Sequence, residues 1–162
     1  MRRRFPQGVE RSAGARVGRR VVLAAERGGR IVLGPAAVVG DRCELRAAAG
    51  AVIVVEGALH ERCRLVAQAS ITVEAGARLG PECVLIDADP AFGDPERPVR
   101  EQGLRVSPVQ IAAGARLGPH VAVLRGVTVG AGATVLAHSV CTRDVPAGAE
   151  VAGAPAHRPG VR

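Results

Sequence analysis

The chain has 162 residues, 48% of them apolar but only 1% aromatic: Phe5 and Phe92 are present, and Trp and Tyr are absent. Its 22 basic residues are all arginine, set against 15 acidic ones for a formal charge of +7. Scattered along the chain, with no set of aromatic side chains among them to stack bases, they argue against a nucleic-acid partner and suit attraction of a phosphorylated small molecule. No run approaches the ~20 apolar residues of a membrane span, and Pro6, Gln7 and Gly8 follow Arg2, Arg3 and Arg4 where a signal peptide would need an apolar stretch. A cytoplasmic protein of one domain over residues 1–162, with no membrane partner, is expected.

In chain order the first signal is a repeat. Val39-Gly40-Asp41-Arg42-Cys43-Glu44-Leu45, Leu59-His60-Glu61-Arg62-Cys63-Arg64-Leu65 and Leu79-Gly80-Pro81-Glu82-Cys83-Val84-Leu85 recur at intervals of twenty, and Val17 opens an earlier copy. Leu117-Gly118-Pro119-His120-Val121 and Val135-Leu136-Ala137-His138-Ser139 carry the unit onward eighteen apart. From Ile111 to Pro146 the chain reads in clean sixes. The first place is aliphatic or thiol (Ile111, Leu117, Val123, Val129, Val135, Cys141) and the fifth is small or β-branched (Ala115, Val121, Val127, Ala133, Ser139, Val145).

A period of six fits neither a 3.6-residue helix nor a long strand, and Gly and Pro recur too often for a helix to survive. Residues 58–69 have a helical composition, yet their equivalents in neighbouring repeats contain Gly40, Gly80 and Pro81. The pattern predicts an all-β prism: three short flat sides per turn, first-place aliphatics pointing inward, fifth-place small residues at the corners. Successive turns then pair as parallel strands ~4.8 Å apart. The twenty-residue turns carry two extra residues, placed near Ala48 to Gly50 and near Ile71 to Val73. The hand of the coil does not follow from the spacing.

Cys43, Cys63 and Cys83 share the fifth place and form one column. They are read as small buried hydrophobes, reduced in a cytosolic chain, and Cys141 likewise. There is no Cys-x-x-Cys spacing for a metal, and none is expected. The period breaks after Asp87 and resumes at Val109; the insertion between them carries four prolines and a concentration of charge. A long loop on a rigid scaffold points to function, and Phe92 and Val99 are expected to give it something to pack against. His120 and His138 stand one above the other at the fourth place, read as solvated surface with groove lining as the alternative. His60 is read as surface. After Pro146 a last partial rung and a tail over about 155–162 follow, with Pro155 and Pro159 blunting the end against further pairing.

Three motifs resemble those of the hexapeptide-repeat acyltransferases: Val127-Thr128-Val129-Gly130-Ala131-Gly132-Ala133, Val140-Cys141-Thr142-Arg143-Asp144-Val145-Pro146 and Val151-Ala152-Gly153-Ala154-Pro155-Ala156. The inserted loop, with Asp94-Pro95-Glu96-Arg97-Pro98-Val99 and Gln102-Gly103, is similar to the loop of the sugar O-acetyltransferases, such as the maltose and galactoside enzymes. The resemblance implies a left-handed parallel β-helix, a homotrimer, acetyl-CoA as acyl donor in the groove between two subunits, and a small hydroxylated acceptor. Carried over by position, Gly118 and Ala137 let the pantetheine arm pass close to backbone, Thr142 and Arg143 meet the nucleotide end, and Arg158 stands in for the family's cation one place late, after His157. Arg116 occupies the place of a common tryptophan.

The family's base is a loop histidine, and here the chain departs from the pattern: no histidine lies between His60 and His120. Depending on the alignment, Asp89 or Pro90 falls on the catalytic position. Asp89 serves as a base if burial at a subunit interface raises it from ~3.9 towards neutrality; ordinary loop solvation is the alternative. Two functions follow: an acyl-CoA-dependent O-acyltransferase, or a catalytically impaired CoA-binding or scaffolding subunit. The zinc-binding hexapeptide carbonic anhydrases use two histidines five apart, a pair this chain lacks.

Overall fold

The structure, a computed structural model, describes residues 5–160; Arg2, Arg3 and Arg4 and the last two residues of the expected tail lie outside it. Three faces of parallel strands make a triangular prism. Face I stacks Val9–Arg11, Arg30–Leu33, Val52–Val55, Ser70–Val73, Val109–Ile111 and Thr128–Val129. Face II stacks Arg16–Val17, Val38–Val39, Ala58–Leu59, Arg78–Leu79, Arg116–Leu117, Thr134–Val135 and Glu150–Val151. Face III stacks Val22–Ala25, Glu44–Ala47, Arg64–Ala67, Val84–Ile86, Ala122–Val123 and Val140–Cys141. The chain visits I, II and III in turn, as a left-handed parallel β-helix.

The inside of the prism is set by side-chain size. Every first-place residue from Ile111 to Cys141 is buried, and so is every fifth-place residue from Ala115 to Val145. A corner has room for Ala, Cys, Ser or Val, and a side has room for Leu or Ile, which explains the scarcity of rings. Each large aliphatic so removed from water is worth about 1.5–3 kcal/mol. Ser139, the polar member of the corner column, is fully buried and satisfied: its hydroxyl donates to Leu136 O at 2.7 Å and accepts from Gly153 N at 3.2 Å.

Register follows the repeat. Val9 pairs with Ile31, Ile31 with Ile53, Ile53 with Ile71, Ile71 with Val109 and Ile111 with Val129. Coils of 22, 18 and, across the insertion, 38 residues thus occupy one ladder. The sides from Glu44 to Val52 and from Ser70 to Arg78 each hold eight residues, where the repeats place the extra pair. Further eight-residue sides, Val22 to Arg30 and Arg30 to Val38 among them, are longer than the repeats indicate. There, four-residue aliphatic strands are followed by turns closed by Gly29 N to Glu26 O and Ala37 N to Gly34 O hydrogen bonds.

At the C-terminal end, residues 152–157 hook back, with Ala152 bridging His157 and Ala156 N donating to Val140 O. The hook, which contains Pro155, covers the last strand of face III. All four cysteines are free and buried. In the column, the Cys43, Cys63 and Cys83 thiols donate to the carbonyls of His60, Gly80 and Gly118. Burial pushes the Cys141 thiol up to about 11. No helix among the described residues is long and apolar enough to cross a membrane.

Candidate functional site

Two corners bound face III, and they carry different chemistry. The inserted loop leaves at the III/I corner, where face III turns into face I. Its first residue, Asp87, is fully buried, and its two carboxylate oxygens accept from Gln68 N and Ala69 N at 2.7 Å each, tying down the corner of the coil below. The loop then pairs with itself: Ala88–Pro90 runs antiparallel to Leu104–Val106. Its tip, with a single 3-10 turn over Val99–Glu101, is held by the Gln102 amide, which donates to Asp94 O and Arg97 O and accepts from Asp94 N. The loop is therefore an ordered ribbon built from its own hydrogen bonds.

Its apolar side chains do not pack inward. Phe92 is 63% exposed and Val99 48%, contrary to the expected packing role, and Leu104 and Val106 are exposed beside them. The Arg105 guanidinium lies over the Phe92 ring, 4.6 Å from its centroid. A short ribbon standing off the prism has nothing of its own protomer to bury these residues against.

Asp89 sits at the root of the ribbon between two arginines. Arg105 Nε is 3.1 Å from Oδ1 and its second nitrogen 3.3 Å from Oδ2, while Arg125 Nε donates to Oδ1 at 2.8 Å. Although its partial desolvation works upward, the Arg125 and Arg105 guanidiniums prevail and hold the carboxyl below its ordinary value. The upward shift a base would need is thus reversed within the protomer, because ribbon pairing sets Arg105 opposite Asp89 and the coil above supplies Arg125.

The II/III corner is built otherwise. Its column runs Arg20, Arg42, Arg62, Glu82, His120 and His138, all non-glycine residues with φ between 54° and 61°. Corners elsewhere place glycine in this left-handed region, for example Gly114, Gly126 and Gly132. Each column residue from Arg42 onward donates its amide to the coil below, as in His120 N to Pro81 O at 3.0 Å and His138 N to Pro119 O at 2.9 Å. Arginines scattered in the sequence are thereby collected into a vertical row, with neighbouring rungs ~4.8 Å apart.

Above the arginines the column becomes a ladder of contacts. Arg62 donates to Glu82 Oε1 at 3.1 Å. Glu82 Oε2 lies 3.3 Å from His120 Nδ1. His120 and His138 stack with centroids 4.9 Å apart and planes within 7°. Both histidines are exposed on the protomer, where either solvent or a neighbouring copy can meet them.

The residues expected to bind the acyl donor divide between the two corners. Gly118 and Ala137 lie at the II/III corner on successive rungs, Gly118 two residues before His120 and Ala137 one before His138. A Cβ on Gly118 would sit 2.8 Å from Ala137 N, so glycine is required there by the rung above. Gly18, Gly40 and Gly80 in the same column meet the same obstruction from their own upper rungs, which gives Gly118 a scaffold role whatever else it does. Thr142 and Arg143 lie at the III/I corner, one rung above Arg125, and both are exposed. Arg158 follows the C-terminal hook. Neither Arg143 nor Arg158 forms an ion pair with any described residue, so both are open to an anion. Among the described residues no cluster of three or more His, Cys, Asp or Glu is arranged to hold a metal.

No protein-family model matches the chain. It is 36% identical over 74 residues to Probable acetyltransferase Rv3034c of Mycobacterium tuberculosis, covering 46% of this chain and 25% of that protein. It is 52% identical over 50 residues to 2,3,4,5-tetrahydropyridine-2,6-dicarboxylate N-acetyltransferase of Staphylococcus aureus, covering 31% of this chain and 21% of that protein. The chain thus spans about a quarter or less of the length of these curated relatives.

Among solved structures, a variant of AntD, an N-acyltransferase from Bacillus cereus in complex with dTDP and coenzyme A, superposes with a TM-score of 0.71 at 18% identity over 95% of this chain and 80% of that one. Galactoside acetyltransferase in complex with coenzyme A superposes with a TM-score of 0.64 at 19% identity over 95% and 63%. At these identities the structural likeness establishes the fold.

Proposed function

We propose that this chain, which belongs to the hexapeptide-repeat acetyltransferases by its fold and by local sequence, is an acyl-CoA-dependent acyltransferase that moves an acyl group, acetyl in the first instance, to a hydroxyl of a sugar or similar small molecule. The observation that carries this reading is the placement of the donor-binding candidates. Gly118 and Ala137 are at one corner and Thr142 and Arg143 at the next, so one protomer cannot set them on either side of the same ligand. Two copies side by side can, with the II/III corner of one facing the III/I corner of the other.

The exposed Phe92, Val99, Leu104 and Val106 support such an assembly, since a neighbouring copy would cover an apolar ribbon that its own prism leaves bare. Rotation by a third of a turn closes such a heterologous contact into a trimer. In that arrangement the unpaired Arg143 and Arg158 suit the phosphates of coenzyme A. Two of the proteins similar to this chain are named for N-acylation, which makes an amine the alternative acceptor.

The arginine-clamped Asp89 favours a second reading, a protein that binds coenzyme A but has lost turnover. Calorimetric titration with coenzyme A, combined with thiol release from acetyl-CoA over a panel of sugars and amino sugars, separates the two. Binding with acceptor-dependent release supports the transferase; binding without release for every acceptor supports the second reading; absence of binding overturns both.

A further inference from the structure

We infer that His120, braced by Glu82 and stacked on His138, is the group that takes the acceptor's proton, and that it does so against the loop of a neighbouring copy. This rests on the transferase reading above. The loop contains no histidine, and its carboxylate at the expected position is held anionic between Arg105 and Arg125. A nucleophilic hydroxyl still has to lose a proton as it attacks.

Three observations single out His120. First, Glu82 Oε2 faces its Nδ1 at 3.3 Å, and Glu82 is itself anchored by the Arg62 guanidinium at 3.1 Å. A carboxylate at one ring nitrogen keeps the proton there and leaves Nε2 with its lone pair outward, the tautomer a base requires. Second, the His138 ring lies parallel at 4.9 Å and fixes the imidazole plane. Third, His120 follows Gly118 by two residues on the corner that carries the pantetheine candidates, one rung below Ala137 and on the side away from the nucleotide-binding candidates Thr142, Arg143 and Arg158. The reactive end of a donor lying along that corner falls at its level.

Height along the prism completes the argument. Glu82 and Asp87 belong to one coil, and His120 and Arg125 to the next. Arg125 donates to Asp89. His120 and the root of the ribbon therefore stand at the same level at opposite ends of face III. A rotation about an axis parallel to the prism leaves levels unchanged, so a neighbouring copy brings its ribbon to the height of His120.

In the step itself, the acceptor O–H proton passes to His120 Nε2 as the oxygen bonds to the thioester carbonyl carbon. The C–S bond then breaks, and the departing thiolate takes the proton back from the imidazolium, giving ester and free thiol. Glu82 stabilises the transient cation. His138 is a positioning residue, and the groups facing His120 are Glu82, His138 and, through Glu82, Arg62.

The test uses the full chain. His120→Gln should lower kcat for thiol release about 100-fold or more, with coenzyme A affinity within about twofold by calorimetry, because the residue is asked to act on the acceptor's proton. Glu82→Gln should cost about 10-fold in kcat with coenzyme A affinity unchanged. In H120G, whose glycine suits the positive φ, added imidazole should restore part of the rate. Mixed assemblies of H120G with a chain lacking residues 90–104 should regain activity that neither has alone. A His120→Gln rate within about threefold of the parent overturns the base and leaves the transferase reading standing. Coenzyme A binding with no release by the parent chain also overturns the base, while no binding overturns the reading beneath it. Mixed assemblies that stay inactive overturn the shared site.

Discussion

The two corners of face III show two ways of putting chemistry on a rigid coil. At the III/I corner the chain leaves the prism, and its functional candidates sit on a ribbon whose geometry depends on its own hydrogen bonds and on one ion-pair cluster. At the II/III corner the chain never leaves: six side chains are carried on left-handed residues and stacked by the coil repeat. The first arrangement allows shape to vary without cost to the core. The second is rigid, and each non-glycine residue in it is strained by roughly 1–2 kcal/mol, offset by backbone bonds between rungs.

Excising residues 90–104 should break the comparison most sharply. Thiol release is expected to fall at least about 100-fold because water is no longer excluded from the donor. The thermal midpoint should move little, since the prism core lies elsewhere. A collapse of the midpoint by urea or heat would show that the ribbon is part of the scaffold.

Gly118→Ala should act in the opposite sense, on folding before function. Its Cβ meets the backbone of the next rung at 2.8 Å, and overpacking of this kind costs about 1–3 kcal/mol. Urea denaturation measures it, and an unchanged midpoint would mean that the rungs separate more easily than their hydrogen bonds indicate.

Replacing His138 by glycine should stabilise the chain by up to about 1 kcal/mol through relief of the positive φ, while slowing turnover through loss of the stack. A variant that is both less stable and fully active would reverse the assignment of strain to this corner.

The smallest effect concerns Asp89. Its carboxyl is held below the ordinary value of ~3.9, so the folded state binds fewer protons there than the unfolded state. The resulting stability is present above the unfolded value and is lost as pH falls through the folded one. Asp89→Asn should therefore lower the urea midpoint slightly at neutral pH, and the difference from the parent should close in acid. Because the pair is exposed, added salt should shrink it as well. A difference that grows in acid would contradict the ion-pair geometry.

How much of this was legible in the sequence depends on the length scale of each interaction. The six-residue period, the inward residues, the cysteine column and the place of the insertion are all readable because each residue's environment is set by its position in the repeat. The stacking of His120 on His138 was readable for the same reason, being eighteen residues of arithmetic. Glu82 beneath them was not singled out, although the repeat sets Glu82 and His120 at the same place across the 38-residue offset: a contact between unlike side chains has no period to declare it. The need for glycine at Gly18, Gly40, Gly80 and Gly118 is likewise tertiary, since the obstruction to a Cβ comes from the next rung.

The sequence by itself determined the prism, since small and large apolar residues alternating at a fixed period admit one way of being buried together. Only the tertiary structure decided the state of Asp89, because a carboxylate's charge depends on which guanidiniums the folded chain brings into hydrogen-bond range, here one from the ribbon at 3.1 Å and one from the coil above at 2.8 Å. It also decided that Phe92 and Val99 face outward, since a ribbon's apolar side has no period to declare it. The base expected at the loop and the histidines found at the far corner are a matter of three-dimensional placement, and the repeat fixes their height but not their partner.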